Sequence, residues 1–209
     1  TLFRAVESGQ LVTDHLVSAS AIGYYGHHAG LCSEETPGDQ SFLSGICQQW
    51  EAAAQRFTQL GLTVSLARIG IVMGREAGAL HEFLKPLRFG VAGIPATGQQ
   101  YYSWIHIEDV ARMLYFLSEN KKAGIFNAVA PEPCTVNQLF DRILAYHTGP
   151  AVKIHALSWA LKLLLGEMSV EVLKSAQVSS LRIQQAGFVF QYPDADACMK
   201  HLLSTSPHN

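Results

Sequence analysis

Charge is sparse in this sequence and long apolar runs are missing. Charged residues make up 15% of its 209 positions, with 15 basic against 17 acidic side chains and no block of either sign. A net charge of -2 without a basic stripe argues against a nucleic-acid partner and against a polybasic membrane patch. The longest apolar stretch, from Trp159 to Leu165, carries Lys162 and falls far short of the roughly 20 residues that a membrane span needs. Cysteine is scarce too: Cys32, Cys47, Cys134 and Cys198 are widely separated, with no C-x-x-C spacing. That distribution excludes a disulfide framework and a zinc ribbon, and with no signal-peptide pattern it makes the cytoplasm the expected location. His27 and His28 are adjacent, so their side chains diverge on an extended segment, and no metal site is expected.

What is present is apolar and patterned. Hydrophobic residues reach 48%, enough for a sizeable core in one domain or two small ones. Apolar spacing at Leu2, Phe3 and Val6 predicts a helix over 1–10, and His15 to Ser20 reads as a short buried strand entering a glycine-rich loop over 22–38. Phe42, Ile46, Trp50, Ala53, Ala54 and Phe57 recur at three- and four-residue steps, so a helix runs from about Ser41 to Leu60 and stops at Gly61. The apolar, β-rich run 63–74 then predicts a buried parallel strand. Strand, helix, strand is a βαβ unit, and the fold class is α/β with a parallel sheet.

Further along, a helix over about 80–89 leads into residues 90–98, read as a loop over the ligand end of the sheet. Glu108 and Asp109 suit the first turn of a helix continuing to Glu119, and Phe126 to Val129 reads as another strand. Thr135 with Gln138 three residues on is a capping box opening a helix to about His147, and the tail over 158–203 reads as mostly helical.

Several residues stand out chemically. Arg68 lies within an apolar strand, where an unpaired charge is costly, so it meets either a carboxylate or a phosphate or ligand at the strand's end. Ser20 closes a buried strand, where a serine bonds the next backbone or a ligand. Cys47 on an apolar helix is a small hydrophobe or a reactive thiol. His106, just before Glu108 and Asp109, is a candidate general base or a histidine held by a neighbouring acid. Gln99, Gln100, Tyr101 and Tyr102 offer amides and rings suited to a polar ligand or to a solvated loop.

The run Ser18-Ala19-Ser20-Ala21-Ile22-Gly23-Tyr24-Tyr25-Gly26 is followed by Trp50-Glu51, by Ala67-Arg68-Ile69-Gly70-Ile71-Val72-Met73-Gly74, and by Ser103-Trp104-Ile105-His106-Ile107-Glu108-Asp109. With Phe126-Asn127-Ala128-Val129-Ala130-Pro131, this succession resembles the epimerase-family branch of atypical extended short-chain dehydrogenases. The tail segments 164–168 and 186–193 resemble the C-terminal domain of unknown function that marks that branch.

The resemblance implies the second part of a doubly wound, Rossmann-like parallel sheet, with a smaller and mostly helical C-terminal substrate-side domain. Its division would be a partial dinucleotide-binding domain over 1–118, with an inserted substrate loop over 75–102, and a C-terminal domain over 119–209. It also implies that the chain starts after the half carrying the glycine-rich phosphate turn. The implied cofactor is NADP or NAD and the implied ligand a small, sugar-like molecule. By resemblance, Ser20 takes a catalytic position, while Ala19, Ser20, Cys47, Arg68, Gly70 and Val72 face the cofactor; Tyr24, next to the glycine-rich turn, is a candidate catalytic phenol or an aromatic packed over a ligand or neighbouring loop. Tyr25, Gln99, Trp104 and His106 would then face the substrate. Aligned on Trp50-Glu51, Leu43 and Cys47 occupy the places of the family's Tyr and Lys, so the usual Tyr-x-x-x-Lys pair is absent. A non-catalytic cofactor-sensing or protein-binding module on the same fold is the alternative. An exposed sheet edge implies a homo-oligomer.

Overall fold

The computed structural model describes residues 1–156 and 175–204. Helix α1 (Leu2–Glu7) precedes β1 (His15–Ala21), a 3-10 turn over Ile22–Tyr25 and the short β2 (Leu31–Cys32). Ser41 then caps α2 (Phe42–Gln55) by accepting from the Ser44 N–H, and the helix tightens into a 3-10 turn over Arg56–Leu60. It stops at Gly61, whose φ of +81° is the left-handed conformation that glycine adopts without a Cβ clash.

The run expected as one strand is two, β3 (Thr63–Ile69) and β4 (Ile71–Met73), divided at Gly70. A Cβ on Gly70 would collide with the Ser103 carbonyl oxygen and lie 2.7 Å from Val129 Cγ1, so only glycine lets β4 turn away to a new partner. The chain continues through α3 (Gly78–Leu87), β5 (Val91–Pro95), β6 (Tyr101–Tyr102), β7 (Trp104–His106) and α4 (Ile107–Glu119). Then come β8 (Gly124–Ala128), β9 (Cys134–Thr135), α5 (Val136–Ala145) and β10 (Val152–Ala156). After the undescribed segment follow β11 (Gln177–Val178), α6 (Leu181–Gln185) and α7 (Ala195–Ser204).

The main sheet is parallel, in the order β1-β3-β8. Central β3 is covered on both faces, which accounts for buried apolar side chains at both alternating positions, with Val64 and Leu66 on one side and Ala67 on the other. Leu66 packs toward the α1 and α2 side with Ala54 and Phe57, and Ala67 packs on the opposite face with Met113 and Leu117 of α4. The chain returns to this sheet after residue 118, because β8 pairs with β3 from Ser65↔Gly124 to Ile69↔Ala128. A second core gathers Trp104, Leu80 and Ile94 with Phe140 of α5 and Met199 of α7.

The capping box of Thr135 and Gln138 is present as read from sequence. The expected loop over 90–98 is corrected: β5 pairs in parallel with β10, and its alternate residues Ala92 and Ile94 point into the second core. The segment 75–102 is likewise no simple loop, since it contains α3, β5 and β6. Of the tail, α6 and α7 are helical, and residues 158–174 of that reading lie outside the described residues.

Candidate active site

Parallel strands of a doubly wound sheet present their carboxyl ends to ligands. Here those ends carry one buried polar network. Ser20 from β1, Arg68 from β3 and Asn127 from β8 are 4%, 1% and 0% exposed, and each needs a partner at that depth.

Glu51 on α2 is the hub. Its Oε1 accepts from Ser20 Oγ and from Arg68 Nε, and its Oε2 from Arg68 Nη2, each at 2.8 Å. The guanidinium fork therefore grips the carboxylate with two parallel bonds. Arg68 Nη1 donates to the Tyr25 hydroxyl at 2.9 Å, which donates to Asn127 Oδ1 at 2.7 Å. The Asn127 N–H donates to Glu34 Oε1 at 2.9 Å. The guanidinium also lies over the Tyr24 ring, 3.4 Å from its centroid.

Burial alone would lower the Arg68 pKa, but its bonds to Glu51 and Tyr25 outweigh that and hold it above the ordinary value. Burial pushes the Tyr25 phenol up to about 12, against the pull of Arg68. Both groups thus keep their protons at neutral pH, and the Ser20 proton is directed at Glu51. Of the two readings of Arg68 open from sequence, the carboxylate partner is the one found. Glu51 drew no role from the sequence, although a signal existed: it shares the buried stripe of α2 with Ser44, Cys47 and Ala54. An acid on that stripe requires a cation.

Cys47 is buried against Gly23, and burial raises its thiol, so it packs as a small hydrophobe and not as a thiolate. Leu43 and Cys47 both lie within 4 Å of where a Cβ on Gly23 would stand, so the two positions implied for the Tyr and Lys face the turn after β1 with apolar groups. Tyr24 is half-buried, and its backbone carbonyl accepts from Ser44 Oγ at 2.6 Å. A cavity of about 190 Å³ opens beside this turn, lined by Ile22, Gly23, Gly26, Ile71, Tyr102 and Ser103 among others. It is smaller than the roughly 300–1,000 Å³ of ordinary ligand sites, so it fits one ring of a ligand and not a whole dinucleotide.

The other sequence-derived candidates are scattered around this centre. Ala19 is exposed on β1 and lines a separate groove with Trp50. Gly70 serves the bend described above, and Val72 pairs with Ile105 between β4 and β7. Gln99 is exposed in the turn after β5. Trp104 is wholly buried in the second core.

His106 is wholly buried as well and caps α4, its Nδ1 accepting from the Glu108 N–H at 3.0 Å. That bond leaves the neutral ring's proton on Nε2, assigned from the hydrogen bonds, and Nε2 donates to His201 Nδ1 at 3.1 Å. His201 Nε2 then faces Glu108 Oε1 at 4.0 Å, Glu108 Oε2 accepts from the Tyr192 hydroxyl at 2.9 Å, and Tyr192 stacks on His106 at 3.8 Å. His106, Glu108 and His201 cluster closely enough to suggest a cation, but the His106 lone pair facing the cluster is taken up by its proton.

Burial lowers the His106 pKa, offset in part by Glu108 and Asp109 and reinforced by His201. The unfolded chain therefore takes a proton more readily. This contribution to stability is full above the ordinary value of 6.5 and is lost as pH falls below it toward the folded value. The melting temperature is expected to drop with acidification below that value, and less steeply in His106→Gln. Parallel profiles for the two proteins would contradict the assignment.

A domain of unknown function, DUF1731, matches residues 158–202. An epimerase family protein of Staphylococcus aureus is 38% identical over 208 residues, covering 97% of this chain and 68% of that protein. The chain belongs to the epimerase family. Another relative, the chloroplastic SDR39U1 homolog of Arabidopsis thaliana, is 33% identical over 179 residues, or 85% of this epimerase-family chain and 51% of that protein. Among solved structures, the human epimerase family protein SDR39U1 with NADPH superposes with a TM-score of 0.91 at 27% identity, over 98% of this chain and 70% of that one. The nucleoside-diphosphate sugar epimerase of Corynebacterium glutamicum gives 0.75 at 26%, over 96% of this chain and 39% of that one. These likenesses confirm a Rossmann-like α/β fold for the epimerase-family chain.

Proposed function

We propose that this epimerase-family chain forms the substrate-side wall of a site for NADP or NAD and a small, sugar-like molecule, with Tyr24 moving the proton. The supporting observation is the buried Glu51–Arg68–Tyr25 network, which fixes the Tyr24–Tyr25 turn beside a ring-sized cavity at the carboxyl ends of the strands. A human relative was solved with NADPH, in keeping with this reading.

The cavity fits the nicotinamide end, with Gly23 and Gly26 in its lining and Ile71 and Tyr102 excluding water. When bound, the nicotinamide supplies hydride chemistry. The chain's own part is to orient the ligand and to give or take a proton at the Tyr24 phenol oxygen, whose hydroxyl makes no hydrogen bond to the described residues. Segment 75–102 and the C-terminal domain over 119–209 supply the substrate side in this reading, in a cytoplasmic protein. Gln99 and Tyr25 contribute through the loops that bear them.

The competing reading is a non-catalytic sensor or protein-binding module, favoured by Leu43 and the protonated Cys47 where the family's pair would stand. NADPH titration by fluorescence, followed by NADPH oxidation with a panel of aldoses and sugar nucleotides, separates the two. Tyr24→Phe is expected to lower turnover by about 10²-fold or more, as loss of a positioned acid does, while leaving NADPH affinity unchanged. Binding without any turnover favours the sensor, and turnover indifferent to Tyr24→Phe removes Tyr24 from the reaction.

We further propose self-association through β1, which pairs only with β3 among the described residues. A groove of about 470 Å³ lined by Leu2, Phe3, Leu16 and Trp50 lies on that strand. A monodisperse monomer in light scattering at micromolar concentration would overturn this.

A further inference from the structure

A different cavity, of about 280 Å³, opens where α3 and α5 meet the end of α7. It shares no residue with the one at the carboxyl ends of the sheet. Among the described residues its lining carries Arg75, His81, Arg88 and His147, with no aspartate or glutamate, in a chain whose net charge is -2. By contrast, the cavity beside Arg142 contains Glu132, Asp194 and Asp196, and Asp196 pairs with that arginine at 3.6 Å.

Helix ends explain only half of this charge. Arg88 is the C-cap of α3, and His147 lies just past the end of α5, where cations meet the negative ends of helix dipoles. Arg75 and His81 lie at the opposite end of α3, where the dipole favours acids, and its first turn contains none. His81, Leu84 and Arg88 stand at three- and four-residue steps, so α3 turns both basic groups and an apolar one to the same cavity.

Two of these groups are already oriented. Arg75 Nη1 donates to the Leu202 carbonyl at 3.2 Å, and the Arg75 carbonyl receives His81 Nδ1 at 3.2 Å. Arg88 is exposed and has no carboxylate partner among the described residues.

We infer that this cavity binds a small organic phosphate. The Arg88 guanidinium fork matches two oxygens of a phosphoryl group, Arg75 adds positive charge at the rim while bonded to Leu202, and the imidazoles add donors when protonated. Leu84, Leu87 and Leu203 give the remaining wall an apolar character that suits a compact carbon body. The volume lies just below the roughly 300–1,000 Å³ of ordinary ligand sites, which sets the size at a single ring with one phosphate.

The test is calorimetric titration of the whole chain with phenyl phosphate, inorganic phosphate and phenol, while the His81 and His147 imidazole resonances are followed by NMR. Phenyl phosphate is expected to bind saturably and to move both resonances, inorganic phosphate to bind more weakly, and phenol not to bind. Arg88→Ala is expected to weaken phenyl phosphate by about tenfold, the loss of one charge-assisted contact. Arg88→Lys keeps a cation at the helix end but loses the fork, so it still weakens binding even where Arg88→Ala upsets the helix. No saturable binding, unmoved imidazole resonances, or affinity indifferent to both substitutions would overturn the site and leave these residues as helix-end charges.

Discussion

Replacing Arg68 with alanine is expected to destabilise the protein by about 3–5 kcal/mol, the scale for removing one partner of a buried ion pair. Glu51 would remain almost fully buried, with Ser20 as its one remaining donor among the bonds described. Tyr25 would lose its donor, and the Tyr24 ring the cation above it. The loss should appear as a lower urea midpoint with an unchanged denaturant slope. Removing both charges with Arg68→Met and Glu51→Leu should recover much of it, because no uncompensated charge is then left inside. A loss below about 1 kcal/mol, typical of a solvated surface pair, would mean that water reaches the network.

Asp109→Ala is the second large effect, about 2–4 kcal/mol, from stranded donors rather than a stranded charge. The Asp109 carboxylate is wholly buried, and it accepts from the Gln191 and Tyr192 N–H groups at 3.0 and 2.9 Å and from Arg112 Nη1 at 2.6 Å. One side chain at the start of α4 thereby fastens the segment leading into α7. Hydrogen exchange should quicken first at Gln191 and Tyr192 and then through α7, with Asp109→Asn intermediate because it keeps one acceptor oxygen. Uniform acceleration across the protein would show instead that Asp109 supports the whole core.

Periodicity exposed the frame and hid the pairings. The α2 stripe, the Thr135 capping box and the apolar run of β3 were legible because each is a local signal of spacing or propensity. Strand β5 was not, since Gly93 and Pro95 mimic a loop, and its partner β10 lies about sixty residues away, as in the pairing Gly93↔Ile154. At the site, Arg68 announced that it needed a partner, but the choice of Glu51 over a phosphate is made by the fold. For His106 too the fold chooses the partners: its neighbour in sequence, Glu108, supplies a backbone N–H rather than its carboxylate, while the ring facing it, His201, comes from far along the chain. Trp104 had drawn a ligand-facing role from its flanking motif, yet it fills the second core.

The all-parallel main sheet also has a consequence in time. Parallel neighbours cannot be joined by a tight hairpin, so β1 must wait for β3, and β3 for β8, across long closing loops. The bond from Tyr25 to Asn127 spans 102 residues and forms only when the third strand arrives. Such high contact order slows folding, and until β8 docks the edge of β3 stands open to other chains. The last strand to dock thus governs how long a newly made chain remains sticky.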